Sequence, residues 1–337
     1  MTQHALNSIR DDTRAVLHNH IHTGDRIALL DFPIHENAGD SLIYAGERRY
    51  FGDLQVRVDY LSDIFAHSDK MLRKRIGDRT IFLHGGGNFG DRWPLHQEFR
   101  ERIVSRFTAN RIVALPQGID YARSDALKAT AEVYGQHPDL TLLLRERRSY
   151  EIALSAFPEN RIEYCPDLAF GASIARSPSG SKVDVVKLFR EDSERLDHGS
   201  VHLEHSSAKF DWGQQRMVSV RSHAITLPTR IVSNFPKSTK ILYPALVQSY
   251  GRLIRLNLSV AQRILNFGSV VLTDRLHAAV LAAMMGKQVV AMDNANQKVS
   301  GIYDAYLHRF DNVRFASNVD EAAQLVSDAV ARAESMR

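Results

Sequence analysis

Short, nearly uninterrupted apolar runs recur along the chain, separated by stretches in which apolar residues repeat every three or four positions. In the first half the runs are Arg26–Asp31, Leu54–Asp59, Arg79–Leu83, Arg111–Leu115, Thr141–Arg145 and Arg161–Cys165, and amphipathic segments such as Leu95–Phe107 and Ser124–Tyr134 lie between them. Apolar strands spaced by helices predict a parallel sheet covered on both faces, a doubly wound α/β unit. The pattern breaks at Phe170–Lys182, which is small, polar and rich in Pro and Gly. It resumes with a strand at Val183–Phe189, a long helix after Pro244, a strand at Ser269–Thr273, a helix at Arg275–Met285, a strand at Gln288–Asp293 and a final helix from Val319. The expected organisation is therefore two α/β domains, 1–172 and 183–337, joined by a linker at 173–182. The segment Glu191–Ser233 follows neither period and reads as an insertion.

A chain of 337 residues with 44% hydrophobic residues is long enough for two ordinary cores. Its one cysteine, Cys165, excludes a disulfide framework and a cysteine zinc site, so a reducing compartment such as the cytoplasm is expected. No apolar stretch is long enough to span a membrane, and the N-terminus has acids and no apolar signal core. Lys and Arg total 43 against 39 acids, too slight an excess for a nucleic-acid partner.

Ligands of parallel α/β sheets bind at the carboxyl ends of strands, so the chemistry is expected in the loops that follow them. After the first strand, Asn37, Gly39 and Asp40 precede a helix expected near Ser41. After the third comes "HGGGNFGDRWP", in which Gly85–Gly86–Gly87–Asn88 lets the backbone approach a ligand. That loop also matches G-x-G-x-x-G through Gly85, Gly87 and Gly90. Asp91–Pro94 intervenes before the helix and no acid ends the next strand, which argues against a dinucleotide. After the fourth strand comes "PQGID", and after the fifth "RERRS", where Arg145 is flush with the strand end. Arg147 and Arg148 read as a solvated helix start. In "LTDRLHA", Thr273 or Asp274 is expected to cap a helix whose first turn holds Arg275 and His277. An arginine beside a helix N-terminus duplicates the positive end of the dipole, which is unfavourable unless an anion binds or Asp274 pairs with it.

Taken in order, "NAGDSLI", "HGGGNFGDRWP", "LPQGID", "RERRS", "CPDLAF", "TDRLHA" and "GK…DNANQKVSGIYDAY" resemble the polysaccharide pyruvyl transferase family over Asp31–Tyr306. The resemblance implies two Rossmann-like domains facing across a cleft, as in GT-B glycosyltransferases. It also implies transfer of pyruvate from phosphoenolpyruvate onto a polysaccharide or lipid-linked glycan, as a ketal or acetal bridging two hydroxyls. By the same resemblance Arg145, Arg275, Leu276 and His277 contact the donor. Two anionic groups on a three-carbon donor need two cationic clusters, which Arg145 and Arg275 supply from opposite domains. An imidazole titrates near about 6.5, so His277 suits proton transfer at neutral pH, with Asp40 as the acceptor-side base. The acceptor is expected against Asn37, Gly39, Gly86, Gly87 and Asn88, with Asp91 and Arg190 as further contacts. No metal or cofactor is required by this chemistry.

Two other activities share the fold: a GT-B glycosyltransferase using a sugar nucleotide, and a non-catalytic glycan-assembly protein. His198, His202 and His205 have spacing that could hold zinc on a helix, yet their surroundings are polar and Gly-interrupted, so a surface cluster is expected. His18, His20 and His22 read as exposed. Arg252, Arg255 and Arg263 form a basic face on the helix after Pro244. A solvated face is the default there, and peripheral contact with the inner face of the membrane is the second reading.

Overall fold

The computed structural model describes residues 2–176, 180–191, 196, 201–210, 212 and 216–335. An amphipathic helix opens the chain, α1 (Thr2–Leu17), and its apolar stripe of Ala5, Leu6, Ile9 and Leu17 is buried. The first sheet follows as β1 (Arg26–Leu30), β2 (Arg57–Ser62), β3 (Ile81–Leu83), β4 (Gly86–Phe89), β5 (Ile112–Ile119), β6 (Leu140–Leu144) and β7 (Arg161–Tyr164). Its strands are parallel, in the order β2-β1-β3-β5-β6-β7, with β4 beside the end of β5. The helices α2 (Ala38–Asp53), α3 (Asp69–Ile76), α4 (Pro94–Arg106), α5 (Ser124–Gly135) and α6 (Arg147–Ala156) alternate with these strands. Every residue of β6, Leu-Thr-Leu-Leu-Leu, is buried, as a strand covered on both faces requires.

The second sheet is also parallel, in the order β12-β11-β10-β8-β9. It comprises β8 (Val183–Leu188), β9 (Ser207–Lys209), β10 (Gly268–Thr273), β11 (Gln288–Ala291) and β12 (Val313–Phe315). Between β9 and β10 the chain is helical: α7 (Arg216–Ile225), α8 (Leu227–Asn234) and α9 (Thr239–Leu265). The helices α10 (Leu276–Met284), α11 (Lys298–Ala305) and α12 (Val319–Ser335) complete the fold. It is thus mixed α/β with parallel sheets, consistent with Rossmann-like units. One apolar core includes residues of both sheets, among them Leu29, Leu143, Leu253, Val271 and Ala282. Polar ties also cross between the halves: the Tyr243 hydroxyl accepts from the Leu61 amide at 2.7 Å, and Thr2 Oγ1 donates to Asn312 Oδ1 at 3.0 Å.

Several expectations are corrected. "PQGID" is not a loop, because β5 runs on to Ile119. Pro116 cannot donate to the ladder, so the register with β6 shifts between Ala114 and Gln117. The continuation pairs with β4, formed by Gly86–Phe89, which had been expected as a loop. The Pro244 helix begins earlier, at Thr239, and accommodates the proline near its start. His20 is buried rather than exposed, bonded to Glu163 at 3.0 Å and beside Arg111 at 2.7 Å. His198 lies outside the described residues. Among the described residues no group of three or more His, Cys, Asp or Glu could hold a metal. None of the described helices is long and apolar enough to cross a membrane.

Candidate active site

Carboxyl ends of both sheets face one cleft. Its outer part, about 420 Å³, is lined by His35, Glu36, Asn37, Asp40, Asn88, Trp93, His96, Arg190, Trp212 and Arg275. An inner recess of about 80 Å³ shares several of these and adds Gly87, Arg145, Leu276, His277, Asn294 and Lys298.

The loop after β1 is shaped by a helix cap. Asn37 Oδ1 accepts from the Gly39 amide at 2.8 Å, which starts α2 at Ala38 rather than near Ser41. Gly39 and Asp40 therefore sit in the first turn of the helix, where the dipole favours a carboxylate. The side-chain Nδ2 of Asn37 donates to Asp40 Oδ2 at 2.8 Å, and His35 Nε2 lies 3.5 Å from the same oxygen. From the second half, Asn257 of α9 braces this loop by donating to the His35 carbonyl and to Ser41 Oγ, both at 2.9 Å.

Below the cleft floor lies a buried polar network. Arg100, 1% exposed, donates to Asp31 Oδ2 at 2.7 Å, to the Gln117 amide oxygen and to the His84 carbonyl. The other oxygen of Asp31 binds His96 Nδ1 at 2.6 Å, which fixes that imidazole in the cleft wall. Burial opposes ionisation of Asp31, but Arg100 and then His96 outweigh it and hold the carboxyl below its ordinary value. His84 Nδ1 meets Glu47 Oε1 at 2.8 Å. Burial would lower the His84 imidazole, yet the Glu47 carboxylate overrides it and raises the value.

Arg145, expected flush with a strand end, follows β6 and is 2% exposed. Its Nη1 donates to Asp167 Oδ2 at 2.7 Å, and its Nε has no hydrogen-bond partner. His277 Nε2 approaches the same Asp167 oxygen at 3.2 Å. Burial would raise the Asp167 carboxyl, but Arg145 and then His277 keep it well below the usual carboxylate range. Across the cleft, Arg275 itself is the N-cap of α10, not a first-turn residue. Its amide donates to Thr273 Oγ1 at 3.0 Å. Asp274 Oδ1 accepts from the Arg190 amide at 2.8 Å, joining the ends of β8 and β10. Lys298 opens α11 and lies 3.3 Å from Asp120 Oδ2.

Of the expected site residues, Asn37, Asp40, Gly87, Asn88, Arg145, Arg190, Arg275, Leu276 and His277 line this one cleft. Gly39 and Gly86 back it: a side chain at Gly39 would collide with His277, and one at Gly86 would crowd Asp40. Asp91 does not line it. Its carboxylate accepts from the Ala122 and Arg123 amides at 2.8 and 2.9 Å and ties two loops together. Gly90 serves packing, since a Cβ there would lie 1.9 Å from the Asp120 carbonyl oxygen. Arg147 pairs with Glu151, and Arg148 donates to the Asn296 carbonyl at 3.2 Å. Lys298, Asp167, His96, Trp93 and Trp212 were not anticipated. The carboxyl-end rule applied to "CPDLAF" and "DNANQKVS" would have pointed to Asp167 and Lys298.

A sequence profile of the polysaccharide pyruvyl transferase family matches residues 37–296, which span most of these groups. The chain belongs to that family. It is 28% identical to EpsO of Bacillus subtilis, named as a candidate pyruvyl transferase, over 96% of this chain and 98% of that protein. It is 29% identical to pyruvyl transferase 1 of Schizosaccharomyces pombe over 89% of this chain and 75% of the relative. A solved protein of uncharacterised function from Klebsiella pneumoniae shares the fold, with a TM-score of 0.57 at 18% identity over 92% of this chain and 98% of that one. The family identifies the chain as a polysaccharide pyruvyltransferase, an enzyme that transfers pyruvyl groups to a glycan.

Proposed function

We propose that the donor is phosphoenolpyruvate and that the product is a ketal or acetal bridging two hydroxyls of one sugar, on a polysaccharide or a lipid-linked glycan. The reading casts the two parallel sheets as Rossmann-like domains, 1–172 and 183–337, in a GT-B-like pair located in the cytoplasm. The observation that carries it is the inner recess, where Arg145, Arg190, Arg275 and Lys298 meet around His277. A donor with a carboxylate and a phosphate on a small carbon body fits a small recess walled by cations from both sides. Arg145 and Lys298 flank Gly87 on one side, near enough that an added Cβ would lie 3.4 and 3.7 Å from their nitrogens. Arg275 serves the other end, and Arg190, expected against the acceptor, lines the same recess beside it.

In the reaction both hydroxyl oxygens bond to the enol carbon, its bond to the phosphate oxygen breaks, and the methylene becomes a methyl. Two hydroxyl protons are lost; one goes to the methylene and one to the departing phosphate. His277 delivers the carbon-bound proton, its imidazole aimed by the ionised Asp167. Asp40, held by Asn37, takes a hydroxyl proton, and His96, aimed by Asp31, lies within the same cleft for the second. Trp93, 44% exposed at the rim, offers an apolar face to the acceptor ring beside Asn88. No cofactor or metal takes part.

The test is incubation with phosphoenolpyruvate and a panel of glycans, following phosphate release and product mass together. The expected result is one phosphate released per pyruvylated glycan. Glycan extension from a sugar nucleotide, with no phosphate from phosphoenolpyruvate, would overturn the donor assignment. No product from either donor would favour an assembly role.

A further inference from the structure

From Trp212 to Thr273 the chain contains no Asp or Glu, yet it carries eight Lys and Arg residues: Arg216, Arg221, Arg230, Lys237, Lys240, Arg252, Arg255 and Arg263. Elsewhere acids and bases are nearly matched, so the positive excess is concentrated here. The same stretch exposes large apolar side chains. Among the described residues, five of the eleven exposed large hydrophobics fall in it: Val220, Leu227, Ile231, Phe235 and Ile241. Phe235 is 68% exposed and Ile241 81%, values that leave most of each side chain in water. Leu227 and Ile231 lie one turn apart on α8, with Arg230 exposed beside them, and Lys237 and Lys240 separate Phe235 from Ile241.

This surface is placed on the cleft side of the molecule. Thr229 of α8 donates to Asp63 Oδ2 at 3.2 Å, and Tyr250 of α9 donates to the same oxygen. Asp63 immediately follows β2, and Tyr243, nearer the start of α9, accepts from the Leu61 amide of β2, so α8 and the first half of α9 stand over the carboxyl end of that strand. Trp212, which lines the cleft, lies just ahead of α7.

We propose that the α7–α8 surface, with the start of α9, docks on an anionic lipid bilayer, its apolar side chains entering the headgroup region and its cations meeting lipid phosphates. Basic residues interleaved with exposed Phe, Leu and Ile match what an anionic interface binds. The charge also argues against a second copy as occupant. A two-fold contact would set this acid-free surface against itself and oppose like charges. The structure moves the docking surface away from the basic face of Arg252, Arg255 and Arg263, where exposed large apolar residues are not interleaved with the charges. The inference rests on this surface alone and does not require the donor assignment.

The test is co-sedimentation of the full chain with vesicles of phosphatidylcholine alone and of phosphatidylcholine with phosphatidylglycerol. The protein should partition onto the anionic vesicles, less so as salt rises. Two variants, Phe235→Ser with Ile241→Ser and Lys237→Glu with Lys240→Glu, should each partition at least about tenfold more weakly while melting like the parent chain. Failure of the parent chain to bind anionic vesicles, or unchanged binding by both variants, overturns the proposal. So does a concentration-dependent dimer that the same substitutions dissolve, because the surface would then be an interface between copies.

Discussion

Behind the cleft wall built by the first sheet, buried charged side chains hold one another and reach the cleft through a half-buried one: Arg100 grips Asp31, Asp31 aims His96, and Glu47 pairs with His84. On the opposite wall two arginines have their backbone amides anchored, Arg275 to Thr273 and Arg190 to Asp274. The first arrangement sets geometry before any ligand arrives, which suits proton transfer between fixed atoms. The second presents long cationic side chains to the recess, which suits gripping an anion that arrives from solvent. His277 roots in the second wall and bonds to Asp167 of the first, so it couples the two.

The largest expected effect follows from that coupling. His277→Ala should reduce turnover by about two to four orders of magnitude with phosphoenolpyruvate affinity within a few-fold. Near-normal turnover in a fully folded variant would move proton delivery to the first wall, with Asp40 next in line. On the first wall, Arg100→Met should cost about 3–5 kcal/mol of stability, because it strands Asp31 in the interior. A denaturation midpoint close to that of the parent chain would show that the network is not interlocked. On the second wall, Arg275→Ala should weaken donor binding by about 1.5–3 kcal/mol. Arg145→Ala should weaken binding similarly and also lower stability, since it strips Asp167 of its partner. Unchanged donor affinity in both would remove the clamp.

The smallest of these effects depends on pH. The His84 imidazole is raised in the folded state, so its contribution is fully present below the unfolded value near about 6.5 and is lost as pH rises through the folded value. The melting temperature should therefore decline as pH rises above about 6.5. Glu47→Gln should lower stability at pH 6 and flatten the decline; an unchanged slope would assign the pH dependence to another group.

Sequence periodicity located most of the strands because buried parallel strands are almost wholly apolar, as β6 shows, but it missed β9 and β12, which are three residues each. It misplaced their ends where pairing, not composition, decides: β5 continues through Pro116 because β4 lies beside it. Asn37, Asp40, Arg145, Arg275 and His277 could be found because each lies in the loop or helix start that follows a strand, a local property. His96 and Asp167 could not be assigned roles, since one depends on Asp31 from 65 residues away and the other on a histidine 110 residues away. His20 was misjudged for the same reason, because Glu163, which binds it, is remote in sequence.

Gly39 contributes an empty volume. A methyl group there would lie 2.6 Å from His277 Nδ1, so even the smallest side chain must push the imidazole aside. The position therefore works as a steric gauge between the two halves, with a tolerance narrower than one carbon atom. Gly39→Ala changes no charge and sits in the first turn of a helix, where alanine is well accepted. It should therefore slow turnover per folded molecule, at an overpacking cost of about 1–3 kcal/mol in stability, which separates the placement of the imidazole from its presence.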